Sequence, residues 1–212
     1  MKQKHFIDFH KGINSIFILL LMYYFDSWNN IVAWIYLALH GTYGYLWILK
    51  SKIFPDRQWE SKTTIRYGLF IWLGLSLYWI SPYIIISGNS ILPFSIPMYP
   101  IYIFFCLTIY IFGVFLHFTS DIQKYTQLKY NPSNLIDNGM FKSLRNTNYL
   151  GELLIYLGFS LLALDWTPII ALMIFIIFIW IPNMYKKDTS LSKYSDFKKY
   201  KSKTKRFIPF LW

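Results

Sequence analysis

Apolar residues run along the chain in long blocks, residues 13–27, 30–49, 65–87, 97–119, 149–164 and 167–185, separated by short polar segments. Crossing ~30 Å of hydrocarbon takes about 20 mostly apolar residues, fewer in a tight hairpin. Each block is therefore predicted to be a membrane-spanning helix. The breaks carry residues that interrupt helices, notably Ser87-Gly88-Asn89 and the stretch from Pro93 to Pro100. The expected fold is all-α: one membrane domain, a multi-pass transmembrane helical bundle of about six spans. After the last block comes KKDTSLSKYSDFKKYKSKTKRFIPFLW, in which Leu191, Tyr194, Phe197 and Tyr200 recur among lysines. That spacing predicts a cytosolic amphipathic helix folding back on the bundle.

Composition agrees and adds a direction. The 212 residues are 55% hydrophobic and 22% aromatic, yet carry a formal charge of +11, a combination that suits a membrane protein with basic loops and excludes an ordinary soluble domain. With six spans and an inward N-terminus, all 21 Lys and Arg fall in segments on one side: Lys2 to Lys11, Lys50 to Arg66, Lys124 to Arg145, and Lys186 to Arg206. Basic residues stay on the cytoplasmic side, so both termini are expected in the cytosol, in an endoplasmic reticulum or a bacterial inner membrane. The basic start before an apolar run resembles a signal peptide, but bulky Tyr23, Tyr24, Phe25 and Trp28 follow it, so a retained first span is expected. The single cysteine, Cys106, lies in an apolar run and is read as packing; no metal site is expected.

The polar residues that break this pattern are the candidates for chemistry. Leu135 to Glu152 is a glycine-punctuated polar segment between two apolar runs, and it carries Arg145, Asn148 and Glu152 where a helix re-enters lipid. His117 with Asp121, and Asn148 with Glu152, are spaced i, i+4, which puts each pair on one helix face. Capping or hydration of helix ends accounts for His117 alone, whereas a carboxylate inside an apolar run, as at Glu152, needs a partner. The second block holds His40, Gly41, Thr42, Tyr43, Gly44 and Tyr45. Close helix packing explains the small residues, while His40, Tyr43 or Tyr45 are candidate proton donors to a bound substrate.

These residues resemble a known family. Thr119-Ser120-Asp121, Gly139-Met140-Phe141, Asn148-Tyr149-Leu150-Gly151-Glu152, Tyr200 and Phe207-Ile208-Pro209-Phe210 are similar to the C-terminal domain of the membrane steroid 5-alpha-reductase superfamily. Ser120 to Lys124, Arg145 to Glu152, Lys187 to Leu191 and HGTYGYLWILKSKIFPD look like its DUF1295 branch. The resemblance covers about residues 110 to 212. It implies a helical bundle with a cofactor cavity open to the cytosol, residues 110–212 forming the cofactor region and residues 13–109 the substrate side. It further implies that NADPH is held by His117 (an Asn in the family), Asp121, Asn148 and Tyr200, with Glu152 near the nicotinamide. Lys124 and Arg145 match its phosphates, and Tyr149 stands in the same motif.

The departures fall on the substrate side. The reductases polarise their substrate ketone with an early-helix Glu and a Tyr, and a nearby Arg touches the cofactor. Here Asp26 is the only acidic residue between Asp8 and Asp56, and Gly41 stands at the Arg position. The leading expectation is an enzyme, an NADPH-dependent reductase of the CH-CH group type acting on a polarised C=C bond of a steroid or sterol, isoprenoid or enoyl lipid. The expected partners are that hydrophobic lipid and the bilayer, with no nucleic acid. A second reading is an S-adenosylmethionine-dependent lipid or isoprenylcysteine methyltransferase, since Arg145, Tyr149 and Gly151 fit the frame of the isoprenylcysteine and phospholipid methyltransferases, with Thr147 for its Pro and only Asp188 near its acidic pair. A third is a non-catalytic lipid-binding membrane protein.

Overall fold

The computed structural model describes all 212 residues. Helices α1 (Gln3–Tyr24), α2 (Ile31–Ile53), α3 (Ile65–Ser87), α4 (Pro100–Tyr130), α5 (Thr147–Leu161), α6 (Trp166–Leu191) and α7 (Phe197–Lys203) follow one another, and β-pairing is confined to isolated bridges. The protein is a multi-pass helical membrane protein in which α1 to α4 and α6 are long and apolar enough to cross a bilayer. The fifth apolar block forms α5, which has 15 residues and is therefore roughly 22 Å long, short of a full span.

Several boundaries differ from the sequence pattern. α1 begins at Gln3, ten residues before the apolar block, because the polar residues of its first turns find partners: Lys2 and Lys4 pair with Glu60, and His10 and Lys11 are buried. Lys11, expected in a cytosolic segment, thus lies within a spanning helix. α4 continues to Tyr130 as one helix of 31 residues. The basic tail is divided: α6 runs on to Leu191, and α7 is a separate turn-linked helix of 7 residues. Phe197 and Tyr200 are its buried residues, so the three-residue spacing read from the sequence does mark the inward face.

The chain forms two compact units. The first comprises Met1–Tyr110 and Tyr156–Leu172. Within it α1 and α2 cross at glycines: a Cβ on Gly44 would overlap the Lys11 carbonyl, and one on Gly41 would come 2.5 Å from Ser15 Oγ. In α3, Pro82 removes the N–H that would bond the Tyr78 carbonyl, the helix tightens to a 3₁₀ turn at Leu77–Trp79, and the Tyr36 hydroxyl donates to that carbonyl at 3.4 Å. α3 ends at Gly88, whose φ of 72° is a left-handed C-cap.

Asp165 organises the turn before α6. One carboxylate oxygen accepts from the Thr167 N–H at 2.7 Å, capping the helix, and the other accepts from Ser90 Oγ and from the Ile91 and Leu92 N–H groups. Burial pushes this carboxyl up, but the hydrogen bonds from Ser90, Thr167 and Leu92 outweigh it and hold the group well below the usual carboxylate range.

The second unit comprises Ile111–Ile155 and Met173–Trp212. Here α4 and α5 meet at Gly113 and Gly151. A Cβ on Gly113 would stand 2.6 Å from the Ile155 nitrogen, and one on Gly151 would overlap the His117 nitrogen. The loop before α5 is fastened to α4 by Gln123, whose amide donates to Asn138 and accepts from the Met140 N–H.

Two outcomes follow for the purified protein. Gly151→Ala forces α4 and α5 apart and is expected to cost about 1–3 kcal/mol, read as a lower thermal unfolding temperature in detergent. Because the native Asp165 carboxyl titrates below its unfolded value of about 3.9, its contribution is complete above about pH 4 and falls away as the pH drops further. Asp165→Asn is expected to flatten that acid limb of the stability profile.

Candidate functional site

The polar segment singled out in the sequence becomes a surface of the second unit built on α4, α5 and the tail. Gly151 brings the α4 and α5 backbones into contact, which carries the side chains of His117 and Asp121 to the N-terminal turn of α5. The His117 Nδ1–H donates to the Asn148 carbonyl at 3.2 Å, which leaves Nε2 facing Asp121, 3.7 Å from Oδ2. Both side chains are buried. The Asn148 side-chain oxygen is also buried and has no hydrogen-bond partner, an arrangement that costs free energy unless a ligand supplies a donor. Lys124 and Glu152 are half-buried, and Tyr149 packs beside Trp180 at 5.5 Å between ring centroids. The structure thus brings His117, Asp121 and Asn148 together.

Arg145 and Tyr200 have a different setting. The Arg145 guanidinium makes two bonds to Asp188, at 3.1 and 3.2 Å, and its Nη1 donates to the Thr204 carbonyl at 2.7 Å and to its hydroxyl at 3.0 Å. Arg206 takes the remaining side of Asp188 with two bonds of 3.1 Å and lies over the Tyr185 ring. Arg145 is buried and engaged within the protein, so it is corrected from a phosphate ligand to the anchor of the tail. The Tyr200 hydroxyl donates to the Phe141 carbonyl at 2.8 Å, and burial pushes its phenol up despite Arg145 nearby. It too holds the tail down. Beside it, an open cleft of about 690 Å³ is lined by Lys142, Lys199 and Lys203 together with Asp137 and Asp196.

The other candidates lie in the first unit. His40 sits in a π-turn of α2, Leu37–Gly41, whose extra residue directs it inward. There it stacks on Phe159 at 4.6 Å and bonds on both nitrogens: to the Asn14 amide at 3.0 Å and to the Tyr36 hydroxyl at 3.0 Å. Asn14 Oδ1 accepts from the Trp79 indole at 2.8 Å, so its amide nitrogen is the end that meets His40 Nε2. Nε2 is then the acceptor, and the single ring proton is on Nδ1, directed at Tyr36. With both nitrogens engaged by Asn14 and Tyr36, His40 is a link in a buried hydrogen-bond chain. Tyr43 is fully buried in the same unit, whereas Tyr45 is 52% exposed on the outer face of α2 and separate from both. Gly41 faces Ser15 at the α1 crossing, where a Cβ would stand 2.5 Å from the Ser15 hydroxyl.

Sequence reasoning missed Asp188 as a clamp and the buried group Lys11, Asn14, Tyr36 and Tyr156. For Asp188 the signal was present, a carboxylate in a run of lysines. For the others, the polar i, i+4 face His10-Asn14 on α1 was available. Removing the clamp leaves two guanidinium groups without their shared carboxylate. Asp188→Ala is expected to cost about 3–5 kcal/mol, measured by unfolding in detergent, with proteolytic cleavage appearing first between Ser192 and Lys205.

Comparison with protein families finds that residues 94–212 match the family described as 3-oxo-5-alpha-steroid 4-dehydrogenase. No curated protein and no solved structure matches the chain. The matched region contains α4 to α7, and with them the His117, Asp121 and Asn148 cluster and the Asp188 clamp. It spans more than half of an all-helical membrane chain, and it carries the motif residues in order. The protein therefore belongs to the 3-oxo-5-alpha-steroid 4-dehydrogenase family, membrane reductases of steroid-type hydrophobic substrates within the steroid 5-alpha-reductase superfamily.

Proposed function

We propose that the protein is an NADPH-dependent reductase that adds hydride to a polarised C=C bond of a hydrophobic lipid of steroid, sterol, isoprenoid or enoyl type. The observation that carries this reading is the buried, unpartnered Asn148 side-chain oxygen beside His117 and Asp121. An amide oxygen so placed is suited to accept from the carboxamide or ribose of a dinucleotide. Lys142, Lys199 and Lys203, on the open cleft next to Tyr200, are the cations suited to its phosphates. Lys124, Glu152 and Tyr149 complete the wall of this site. When bound, the cofactor supplies the hydride; the chain's own residues bind it, orient it and exclude water.

The concentration of basic residues in segments on one side of the spans supports a cytosolic position for this site and for both chain ends. Methyl transfer is less well supported: the Arg and the acidic residue that fit the methyltransferase frame, Arg145 and Asp188, neutralise one another.

The test is a thermal shift on the full chain in detergent. NADPH is expected to raise the unfolding temperature, since a ligand that binds only the folded state stabilises it by mass action, and S-adenosylmethionine is expected to leave it unchanged. Asn148→Ala is expected to weaken NADPH binding about tenfold, the equivalent of ~1.4 kcal/mol, while unfolding at the same temperature without ligand. Stabilisation by S-adenosylmethionine alone overturns the assignment in favour of methyl transfer.

A further inference from the structure

Phe210 and Leu211, in the turn that follows α7, are 92% and 76% exposed, and Phe210 is the most exposed large apolar side chain of the protein. The turn itself is closed. The Phe207 and Ile208 N–H groups both donate to the Trp212 main-chain oxygen, at 2.7 and 2.9 Å, and the Leu211 and Trp212 N–H groups donate back to the Ile208 carbonyl. Phe207 is buried, its ring 6.4 Å from that of Trp180, and Trp212 lies 6.4 Å from Tyr185. The Arg206 guanidinium covers both Tyr185 and Trp212. Phe210 is held at a φ of 67°, a left-handed conformation that a bulky residue adopts only when its surroundings impose it. The closed turn thus keeps two apolar side chains outside the fold.

The place of the turn along α6 sets its depth. Trp180 and Tyr185 are followed by Lys186 and Lys187, the order in which a spanning helix passes through the interfacial belt into water. A turn packed on Trp180 and Tyr185 therefore lies at the boundary between hydrocarbon and headgroups. The charge around it suits that position. Lys198, Lys201 and Lys205 are exposed just before the turn, and they stand apart from the cleft lined by Lys199 and Lys203. Asp196 is the one acidic residue between Lys193 and Lys205, and it lines the cleft, while Asp188 is already bonded to Arg145 and Arg206. Lysines around a protruding apolar tip are complementary to an anionic lipid surface, which offers phosphates to the cations and acyl chains to the tip.

We propose that α7 and the turn at 207–212 form a peripheral anchor for anionic lipid. Phe210 and Leu211 insert among the acyl chains, and Lys198, Lys201 and Lys205 bind headgroup phosphates. The anchor does not rest on the reductase reading. It makes this end of the protein sensitive to lipid composition, because α7 is also the element that carries Lys199 and Lys203 into the cleft.

The test is hydrogen–deuterium exchange of the full chain, without nucleotide, in nanodiscs of phosphatidylcholine alone or mixed with phosphatidylglycerol. Exchange across residues 205–212 is expected to slow about tenfold when phosphatidylglycerol is present, and added salt is expected to reverse the gain by screening the lysines. Phe210→Ser combined with Leu211→Ser is expected to abolish the slowing while unfolding in detergent at the wild-type temperature. Lys198→Gln combined with Lys201→Gln is expected to leave exchange in phosphatidylcholine as it was and to remove most of the response to phosphatidylglycerol. Equal exchange in the two kinds of nanodisc overturns the proposal, as does a response that survives either double variant. The same slowing produced by inorganic phosphate in phosphatidylcholine nanodiscs overturns it in favour of a soluble phosphate site. Slowing that rises with protein concentration in detergent overturns it in favour of a second copy of the chain. Should the Phe210 and Leu211 variant melt below the wild type, the lysine pair decides: an unchanged response to phosphatidylglycerol overturns the anchor.

Discussion

A bilayer core supplies no hydrogen-bond partners, so every polar group carried into it must be matched from within the protein. In this chain that constraint decides which residues are placed where. Asn14, His40 and Tyr36 satisfy one another in sequence along a buried line from the Trp79 indole to the Tyr78 carbonyl. That carbonyl is available because Pro82 has no N–H to give it. The Lys11 ammonium is met by a phenol and aromatic faces. Glycines make these meetings geometrically attainable, since Gly41 and Gly44 close the α1–α2 crossing, and Gly113 and Gly151 close α4 on α5.

The broad fold was legible in the sequence because the hydrophobic effect writes it at the scale of whole helices. Apolar blocks marked the spans and Gly88 marked a helix end. The three-residue spacing of Phe197 and Tyr200 marked the buried side of the tail. Helix ends were less legible. α1 starts among Lys2, Lys4, His10 and Lys11 because their partners, Glu60 and Tyr156, are supplied from positions remote in the chain, and no local pattern reveals a distant partner.

The site divides along the same line. That His117 and Asp121 share a face was readable, since i, i+4 spacing on a helix is a local fact, whereas their meeting with Asn148 depends on the Gly151 crossing. Arg145 was misread because its type suits phosphate equally well, and only the tertiary structure shows Asp188 and Thr204 around it. His40 was ambiguous for a related reason: a buried imidazole is an acid or a structural bridge according to which atoms meet its two nitrogens. The family match begins at residue 94, so α1 to α3, where Lys11, Tyr43 and the π-turn lie, fall outside it.

The Asp188 clamp also sets an order of events during synthesis. Asp188 follows Arg145 by 43 residues and Thr204 follows it by 59. At roughly 5–20 residues per second the ribosome takes about 2–12 s to deliver them. Through that interval the newly made Arg145 lacks at least one of its eventual partners. The clamp therefore cannot be complete before Thr204 is made, and a translational pause between residues 146 and 187 would prolong the stage at which Arg145 is without Asp188.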